Sequence, residues 1–363
     1  MPGRLFRLLM CGMCLSVLAT LPALGADNSG GQVAAERCKT AAQTLLATLT
    51  PEIEPAVALP FDDKRTAWSY FPNIPQLVQR AEGAPLEELT QDQRITAHQL
   101  MECGLSSQGY QKVNAIMRLG DPVIRGPAEG RPIGPTFFWL AIFGDPATDE
   151  PWGWQLEGHH LTLNFTVVDG KVSFTPMFLG ADPARVPSGP YAGWRVLGNE
   201  VDKAFALLNS LTRAQRNQAI LADEMPERFF TQPGRADALK AYAGLPGSEL
   251  MDVQRQLLWL LIQEYVLNVE DRLARQHLES IRSAELNNVY FAWMGPTTPG
   301  GGIYYRIHGP SILIEFTHAR NQGSGAPDPN HVHTVFRDPD NDFGQDWLRI
   351  HYETSPDHQN QGK

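Results

Sequence analysis

The stretch "HHLTLNFTVVDGKVSFTPMF", residues 159–178, decides the fold class. Apolar and polar side chains alternate on both sides of Asp169-Gly170, as they do in β-strands with one face in the core. An Asp-Gly pair between two such runs is typical of a two-residue hairpin turn. The sequence therefore predicts an antiparallel hairpin that has one apolar face and one polar face.

A second hairpin is predicted further along the chain, in "GGIYYRIHGPSILIEFTHA" at residues 301–319. Its residues alternate in the same way, and Gly309-Pro310 suits a type II′ turn, because glycine takes the positive φ and proline the negative one. A strand-like run precedes each hairpin, "TFFWLAIFG" at 136–144 and "NVYFAWMG" at 288–295. The two strand blocks are expected to join one sheet.

Helices are predicted before each strand block. An amphipathic segment covers residues 32–49, and "LTQDQR", "LTRAQR" and "LMDVQR" each open a helix, at residues 89, 211 and 250. The first two contain the Thr-x-x-Gln of a capping box, in which each side chain satisfies a backbone donor of the other residue. We interpret the recurrence as helix-start chemistry rather than a solenoid repeat, because the spacings are unequal. The predicted fold class is α+β, a mainly antiparallel sheet from two strand blocks with helical N-terminal and middle segments packed on it.

The N-terminal segment has the layout of a secretory signal peptide. Arg4 and Arg7 precede an apolar run that ends in small residues at Ala26. A membrane anchor is the alternative, but the apolar run is short for a bilayer span. We therefore expect a signal peptide at residues 1–26, a single exported α+β domain at 27–352 and a polar tail at 353–363. After removal of the signal no membrane span is expected, and the protein is predicted to be periplasmic or extracellular.

Composition narrows the functional class further. The chain has 363 residues and a formal net charge of -10, without a basic run, which argues against a nucleic-acid partner and leaves a small-molecule or polymer substrate. Two cysteines follow the signal, Cys38 and Cys103. In an oxidising compartment they form either one disulfide or a pair of buried thiols, and both alternatives stay open.

Histidines supply the main functional signal. The alternation of the first hairpin places His159 in the apolar row, as a core-edge residue with a hydrogen-bond partner, and His160 in the polar row. In "NHVHTV", His331 and His333 point to one face of a strand, at a spacing that allows both imidazoles to bind one metal ion. The alternative for this pair is a solvated polar face. Of the two adjacent histidines, His160 is the better functional candidate, because it lies in the polar row.

Other residues are weaker candidates for the same site. Glu157 is either a general base beside a metal-bound water or a turn residue. Glu315, in the middle of a strong strand, is either a ligand or the partner of Arg306 in an ion pair. His351 lies on the predicted closing helix, "DWLRIHYE", and could supply a further ligand.

Several long motifs together resemble a known family. "PWGWQLEGHHLTLNF", "TPMFLGADPA", "YYRIHGPSILIEF" and "NHVHTVFRDPDNDFGQDWLRIHY" are similar to the domain of unknown function numbered 3500. The resemblance extends from about residue 32 to residue 352. It implies a single exported domain, and "GHHL", "NHVHTV" and the terminal "HY" match its pattern, whereas His308 and His318 match it less well.

These observations predict an exported metalloenzyme. His160, His331 and His333 would hold one zinc, copper or iron ion, with His159, Glu315 or His351 completing or supporting the shell and Asn164 orienting a ring. The favoured reaction is hydrolysis by a metal-activated water with Glu157 as the base. The alternatives are a copper- or iron-dependent oxidoreductase and a non-catalytic module that binds a metal or ligand.

Overall fold

One large sheet forms the centre of the protein. The computed structural model describes residues 29–69, 81–126, 133–282, 286–321 and 323–355. The predicted signal peptide lies outside the described residues, and so does most of the predicted tail. The sheet has 13 strands, most of them antiparallel to their neighbours, and helices pack on it. The predicted α+β class is confirmed, and both strand blocks belong to this sheet.

Ten helices and thirteen strands are present in the described residues. The helices are α1 (Ser29–Thr48), α2 (Glu54–Val57), α3 (Gln91–Gly104), α4 (Ser107–Leu119), α5 (Pro122–Arg125), α6 (Gly198–Ser210), α7 (Arg213–Ala219), α8 (Asp252–Val266), α9 (Asp271–Ser280) and α10 (Gln345–Thr354). The strands are β1 (Ala58–Leu59), β2 (Ala84–Pro85), β3 (Phe138–Phe143), β4 (Trp152–Gly158), β5 (Leu161–Val168), β6 (Lys171–Ser173), β7 (Met177–Ala181), β8 (Ile220–Ala222), β9 (Leu245–Pro246), β10 (Tyr290–Met294), β11 (Tyr304–Gly309), β12 (Ile312–Arg320) and β13 (Pro327–Arg337).

The strand order brings the two blocks together at the middle of the sheet. It runs β1-β3-β4-β5-β7-β13-β12-β11-β10-β8, so that β7 of the first block pairs with β13 of the second. The pairs β1–β3 and β8–β10, at the two ends of this order, are parallel. Every other pair within it is antiparallel. The junction between β7 and β13 therefore joins two similar halves.

The first predicted hairpin is confirmed and the turn of the second is corrected. Asp169 and Gly170 connect β5 to β6, and both have the positive φ that a tight primed turn requires. In the second hairpin the turn residues are Pro310 and Ser311, whereas Gly309 is the last residue of β11 and pairs with Ile312 of β12. A Cβ at Gly309 would lie 2.9 Å from the Val289 side chain, so glycine is needed there for close packing and not for a positive φ.

The recurring Leu-x-x-x-Gln-Arg segments start helices, as interpreted, since Thr90 with Gln93 and Thr212 with Gln215 form capping boxes. Their positions also show that the two halves of the sheet repeat one arrangement of elements. In each half a short strand, β2 or β9, pairs antiparallel with the next long strand, β3 or β10, and leads into the helix that starts with the motif, α3 or α8. The copy before α7 corresponds instead to the segment before α2, since each of these helices leads into a parallel edge strand, β8 or β1. The spacings are unequal because the copies occupy different positions of the repeated unit.

The two faces of the sheet are covered by different parts of the chain. Leu163 and Ile314 belong to the same apolar core as Leu100 of α3 and Leu258 of α8. Burial of these apolar side chains makes the main contribution to the stability of the fold. Truncation of a core phenylalanine such as Phe165 to alanine costs about 3–5 kcal/mol. The helices therefore cover one face of the sheet.

The opposite face carries a smaller apolar cluster and buried polar side chains such as that of Glu315. Phe178 of β7 and Val335 of β13 pack there with Trp68 and Phe229, which come from segments between the regular elements. The side chains of His331 and His333 lie on this face.

Two further features concern the cysteines and the helices. Cys38 of α1 and Cys103 of α3 are joined by a disulfide, so the bonded alternative applies. No helix within the described residues combines the length and apolar character that a bilayer crossing requires.

Candidate metal centre

Two of the three histidines of the centre come from β13. His331 and His333 are two residues apart on the strand and point to the face opposite the helices. His333 pairs with Gly180 of β7 on one side and Thr317 of β12 on the other. Strand geometry therefore fixes both imidazoles relative to the middle of the sheet.

The third histidine comes from a turn, not from a strand as the alternation suggested. His159 and His160 form the two-residue connection between β4 and β5, and His160 has a φ of 66°. Positive φ at a residue other than glycine costs on the order of 1 kcal/mol and persists only where the surrounding structure requires it. The turn directs the His160 ring across β7 towards β13. His160 does not belong to the polar row of β5, because that strand begins only at the next residue.

Gly180 makes room for this ring. The Gly180 N–H donates to the His160 carbonyl oxygen at 2.8 Å, which fixes the turn against β7. A Cβ at position 180 would lie 3.2 Å from both Cβ and Cδ2 of His160 and 2.9 Å from the Val332 carbonyl oxygen. A side chain at this position would therefore displace the His160 ring.

The three imidazoles meet at their Nε2 atoms. Nε2 of His331 lies 2.8 Å from Nε2 of His160 and 3.0 Å from Nε2 of His333. A ring nitrogen has only one in-plane direction for a proton or a lone pair, so Nε2 of His331 cannot form two well-aligned hydrogen bonds at once. One ion placed between the rings would accept all three lone pairs. His160, His331 and His333 are the group of possible metal ligands that the described residues contain.

Burial keeps these side chains neutral. Burial lowers the pKa of His160 and of His333 well below the usual histidine value, and repulsion from the neighbouring rings acts in the same direction. Burial also lowers the pKa of His331, whereas Asp182 and Asp328 act in the opposite direction. Imidazole binds metal ions in its neutral form, so the centre does not need to lose protons near pH 7.

His159 lies beside the centre. Its ring centroid lies 3.9 Å from that of His160, and its Nδ1 lies 3.2 Å from Nη1 of Arg125. Arginine only donates hydrogen bonds, so Nδ1 of His159 is the acceptor and Nε2 carries the proton. The same guanidinium pairs with the Asp182 carboxylate and donates to the Asp182 carbonyl oxygen at 3.1 Å. His159 is half-buried beside the ligands. Because its Nδ1 accepts from Arg125 and its Nε2 carries the proton, it does not offer a further lone pair to a metal ion.

Glu157 lies three residues before His160 in the same hairpin, with its side chain buried in β4. Burial raises its pKa to about 8, although the Ser69 N–H, which donates to Oε1 at 2.6 Å, acts in the opposite direction. A carboxyl group with this pKa is mainly protonated at pH 7, and in that form it donates a proton rather than accepting one.

Glu315 does not reach the three histidines. Its carboxylate accepts hydrogen bonds from the N–H groups of Phe230 and Thr231, at 2.7 and 2.8 Å. The hydroxyl groups of Thr231 and Tyr304 donate to it at 2.5 and 2.7 Å. Arg306, the ion-pair partner in the other alternative, is directly opposite Glu315 on the neighbouring strand, but no ion pair joins the two within the described residues. Glu315 instead holds the segment that covers this face.

The remaining candidates lie elsewhere. His351 of α10 binds the Asp169 carboxylate through Nδ1 at 2.8 Å, at the end of β5 remote from His160. Eight strand residues, about 25 Å, separate the two positions. Asn164 makes its hydrogen bonds away from the ligand rings: its Nδ2 donates to the Pro176 carbonyl oxygen and its Oδ1 accepts from Gln155.

Two further histidines lie outside the three-histidine group. His318 is near it, because it pairs with Val332 of β13; burial lowers the pKa of His318 to about 4, and His331 acts in the same direction. His308 of β11 packs against Tyr242, at 4.6 Å between ring centroids. His318 of β12 accepts the Ile303 N–H at Nδ1. Neither belongs to the group of possible ligands in the described residues.

Sequence reasoning missed Gly180, Arg125 and Asp182, which position the turn. The one signal for them was "FLGADP", a glycine inside a strand pattern, which indicates a close approach of another chain segment. Arg125 is 57 residues from Asp182 in the sequence, and no local pattern connects them.

The fold and the site together define a class of protein, an α+β chain with one large, mostly antiparallel sheet and a three-histidine group that could bind a metal ion. Within that class the chain belongs to the family described as "Protein of unknown function (DUF3500)", which matches residues 31–345. The resemblance of the long motifs is thereby confirmed. No curated protein and no solved structure matches the chain.

Proposed function

We propose that this protein is an exported, metal-dependent enzyme that hydrolyses its substrate with a metal-activated water. The convergence of three neutral imidazoles carries the proposal: the Nε2 atom of His331 lies within 3.0 Å of two other Nε2 atoms. Neutral nitrogen ligands suit zinc, copper and iron, and three protein ligands are the usual number in catalytic zinc sites.

Hydrolysis needs a nucleophilic water and a proton for the leaving group. A bound metal ion lowers the pKa of its water towards 7, which supplies the nucleophile at neutral pH. Glu157, with its pKa of about 8, is suited to hold the proton that the leaving group needs. We therefore assign Glu157 the role of a general acid that becomes a base once it has given up its proton.

Export is part of the proposal. The basic and apolar N-terminal segment has the layout of a secretory signal, and a disulfide between Cys38 and Cys103 persists in an oxidising compartment such as the periplasm or the extracellular space.

The test is the metal content of the purified mature protein, measured by mass spectrometry after reconstitution with zinc, copper or iron. We expect one equivalent in the parent and none in the double variant His331→Ala/His333→Ala. His351→Ala is the matched control, because this histidine is buried but remote, and it should retain the metal. Absence of metal from the parent, or equal metal in the double variant, would overturn the proposal.

The identity of the ion then determines the chemistry to be assayed. Zinc leads to hydrolysis of activated carboxylic and phosphoric esters, where Glu157→Gln should keep the metal but lower the rate by about 100-fold or more. Copper or iron with turnover of a redox substrate would replace hydrolysis by the oxidoreductase alternative. Metal binding without either activity would leave a binding module.

A further inference from the structure

A groove outside the histidine centre has the composition of a ligand site. Helix α4 lines one side of it, and Tyr191 and Trp194 line the other. Its volume is about 520 Å³, within the range of small-molecule sites. None of the residues that line it belongs to the group of possible metal ligands.

The aromatic side of the groove is held in place. The Val186 N–H donates to the Trp194 carbonyl oxygen at 2.9 Å, and the Gly193 N–H donates to that of Val186 at 2.8 Å, so Val186 and Trp194 close a loop. Nη1 of Arg118 donates to the Tyr191 hydroxyl at 3.0 Å, and the guanidinium lies 6.0 Å from the Tyr191 ring centroid. The two rings are 5.7 Å apart and half-buried, so this surface is ordered before any ligand arrives.

The polar groups of the groove include two amides. Gln111 is exposed on α4, and one turn further on Asn114 donates to the Tyr110 carbonyl oxygen through Nδ2. Arg118 is the one charged side chain among the described residues that line the groove, and none of these residues carries a carboxylate. Aromatic faces with amide donors and acceptors suit a neutral ring that has C–H groups on its faces and hydroxyl groups at its edge.

We propose that this groove binds a pyranose unit of a glycan, which stacks on Trp194 and Tyr191 and hydrogen-bonds to Gln111 and Asn114. A polyanion is disfavoured, because the chain has a net charge of -10 and the groove offers one guanidinium group. A ring with a polar edge uses the amides as well as the aromatic faces, which a purely apolar ligand does not.

The groove and the histidine centre share one chain segment. Asp182 pairs with Arg125 beside the centre, and Ala184 donates to the Asn330 carbonyl oxygen, next to His331. The segment then continues to Tyr191 and Trp194. The glycan proposal does not require a metal ion, but it gives the proposed hydrolase a substrate class.

Isothermal titration calorimetry of the mature protein with four hexasaccharides tests the proposal. The probes are β-1,4-linked glucose, β-1,4-linked N-acetylglucosamine, β-1,4-linked mannose and α-1,4-linked glucose. We expect at least one to bind, and Trp194→Ala to weaken that binding by about tenfold or more, which corresponds to the loss of one good stacking contact. Trp194→Phe, which keeps a stacking face, should restore most of the affinity.

The controls separate the groove from the fold and from the metal. Trp347→Ala removes another half-buried tryptophan, whose ring also has a cation over it at 5.7 Å, and should leave the affinity unchanged. Ala115→Arg fills the groove without removing an aromatic residue and should abolish binding, so the test does not depend on the folding of Trp194→Ala. His331→Ala/His333→Ala should bind the glycan normally.

The opposite results would overturn the proposal. These are no binding of any of the four probes, binding that Ala115→Arg leaves intact, or binding that falls equally in Trp347→Ala. Loss of metal with retained glycan binding, or the reverse, would separate this proposal from that of the metal centre.

Discussion

Three neutral imidazoles meet at one point, and each depends on its neighbours for its position. His331 and His333 are fixed by strand pairing, whereas His160 is held by a strained turn that lies against Gly180. A displaced ring would move its Nε2 atom away from the point where the other two meet. The residues around the ligands therefore matter as much as the ligands themselves.

Substitution of Gly180 tests this dependence. Gly180→Ala places a methyl group 3.2 Å from two His160 atoms and 2.9 Å from the Val332 carbonyl oxygen, so the ring has to move. We expect the metal affinity to fall by about 10–100-fold, measured by competition with a chelator. Gly31→Ala is the control, because the nearest atom would be 3.4 Å away. An unchanged affinity in Gly180→Ala would mean that the Gly180 contact does not position His160.

Glu157 makes the stability depend on pH. Its pKa of about 8 in the folded protein exceeds the ordinary value of 4.5, so the folded state keeps the proton that the unfolded chain loses. This contribution to the free energy of unfolding is complete below pH 4.5. It decreases by up to about 1.4 kcal/mol per pH unit as the pH rises towards 8.

Glu157→Gln should remove this contribution. We expect the parent to lose stability relative to the variant between pH 5 and 8 in urea titrations. Glu88→Gln, at an exposed glutamate, should follow the parent. Parallel curves for the parent and Glu157→Gln would show that the carboxyl group is already ionised at pH 5.

At the scale of elements, the repeat predicts that equivalent residues of the two halves contribute similarly to the free energy of unfolding. Nε2 of Gln93 donates to the Thr48 carbonyl oxygen at the end of α1, and Nε2 of Gln254 donates to that of Ser210 at the end of α6, both at 2.9 Å. Each Oε1 also accepts the N–H of its own cap residue, at 2.8 and 2.9 Å. Both glutamines are buried, and each ties the start of one helix to the end of another.

Gln93→Ala and Gln254→Ala should therefore destabilise the protein by similar amounts, about 1–3 kcal/mol each in denaturant unfolding. The two sites are in different halves, so the double variant should be additive within about 0.5 kcal/mol. Gln256→Ala, at an exposed position of α8, should change little. A large effect of one glutamine and none of the other would contradict the equivalence of the two helix starts.

Local patterns predicted the elements better than their arrangement. The period of two residues and the Asp169-Gly170 pair were enough for the first hairpin, because these signals act within a few residues. The Gly309 turn was misplaced by one residue, since a glycine needed for packing against Val289 looks the same in sequence as one needed for its φ. The similar arrangement of the two halves lay beyond local patterns, because their common sequence signal is confined to helix starts.

At the scale of the whole molecule, the site depends on contacts that no local pattern contains. His160 is 171 residues from His331, and the two meet only because β5 pairs with β7 and β7 pairs with β13. The sequence supplied the candidate ligands through the strand spacing of His331 and His333. The choice among Glu315, His351 and His160 required the order of strands in the sheet.

This arrangement predicts that metal binding stabilises the whole chain. His160 belongs to the first half and His331 and His333 to the second, so a bound ion joins the halves across the β7–β13 junction. An ion that binds only the folded state raises the free energy of unfolding by about 2.7 kcal/mol at 100 times its dissociation constant, and by about 4.1 kcal/mol at 1,000 times. Calorimetric unfolding of the metal-loaded and chelator-treated protein should therefore show a higher midpoint for the loaded form. His331→Ala/His333→Ala should show no difference between the two conditions, whereas His351→Ala should behave like the parent. An equal shift in the double variant would locate the stabilising ion elsewhere, and a bound ion without any shift would mean that the three histidines do not hold it in the folded state alone.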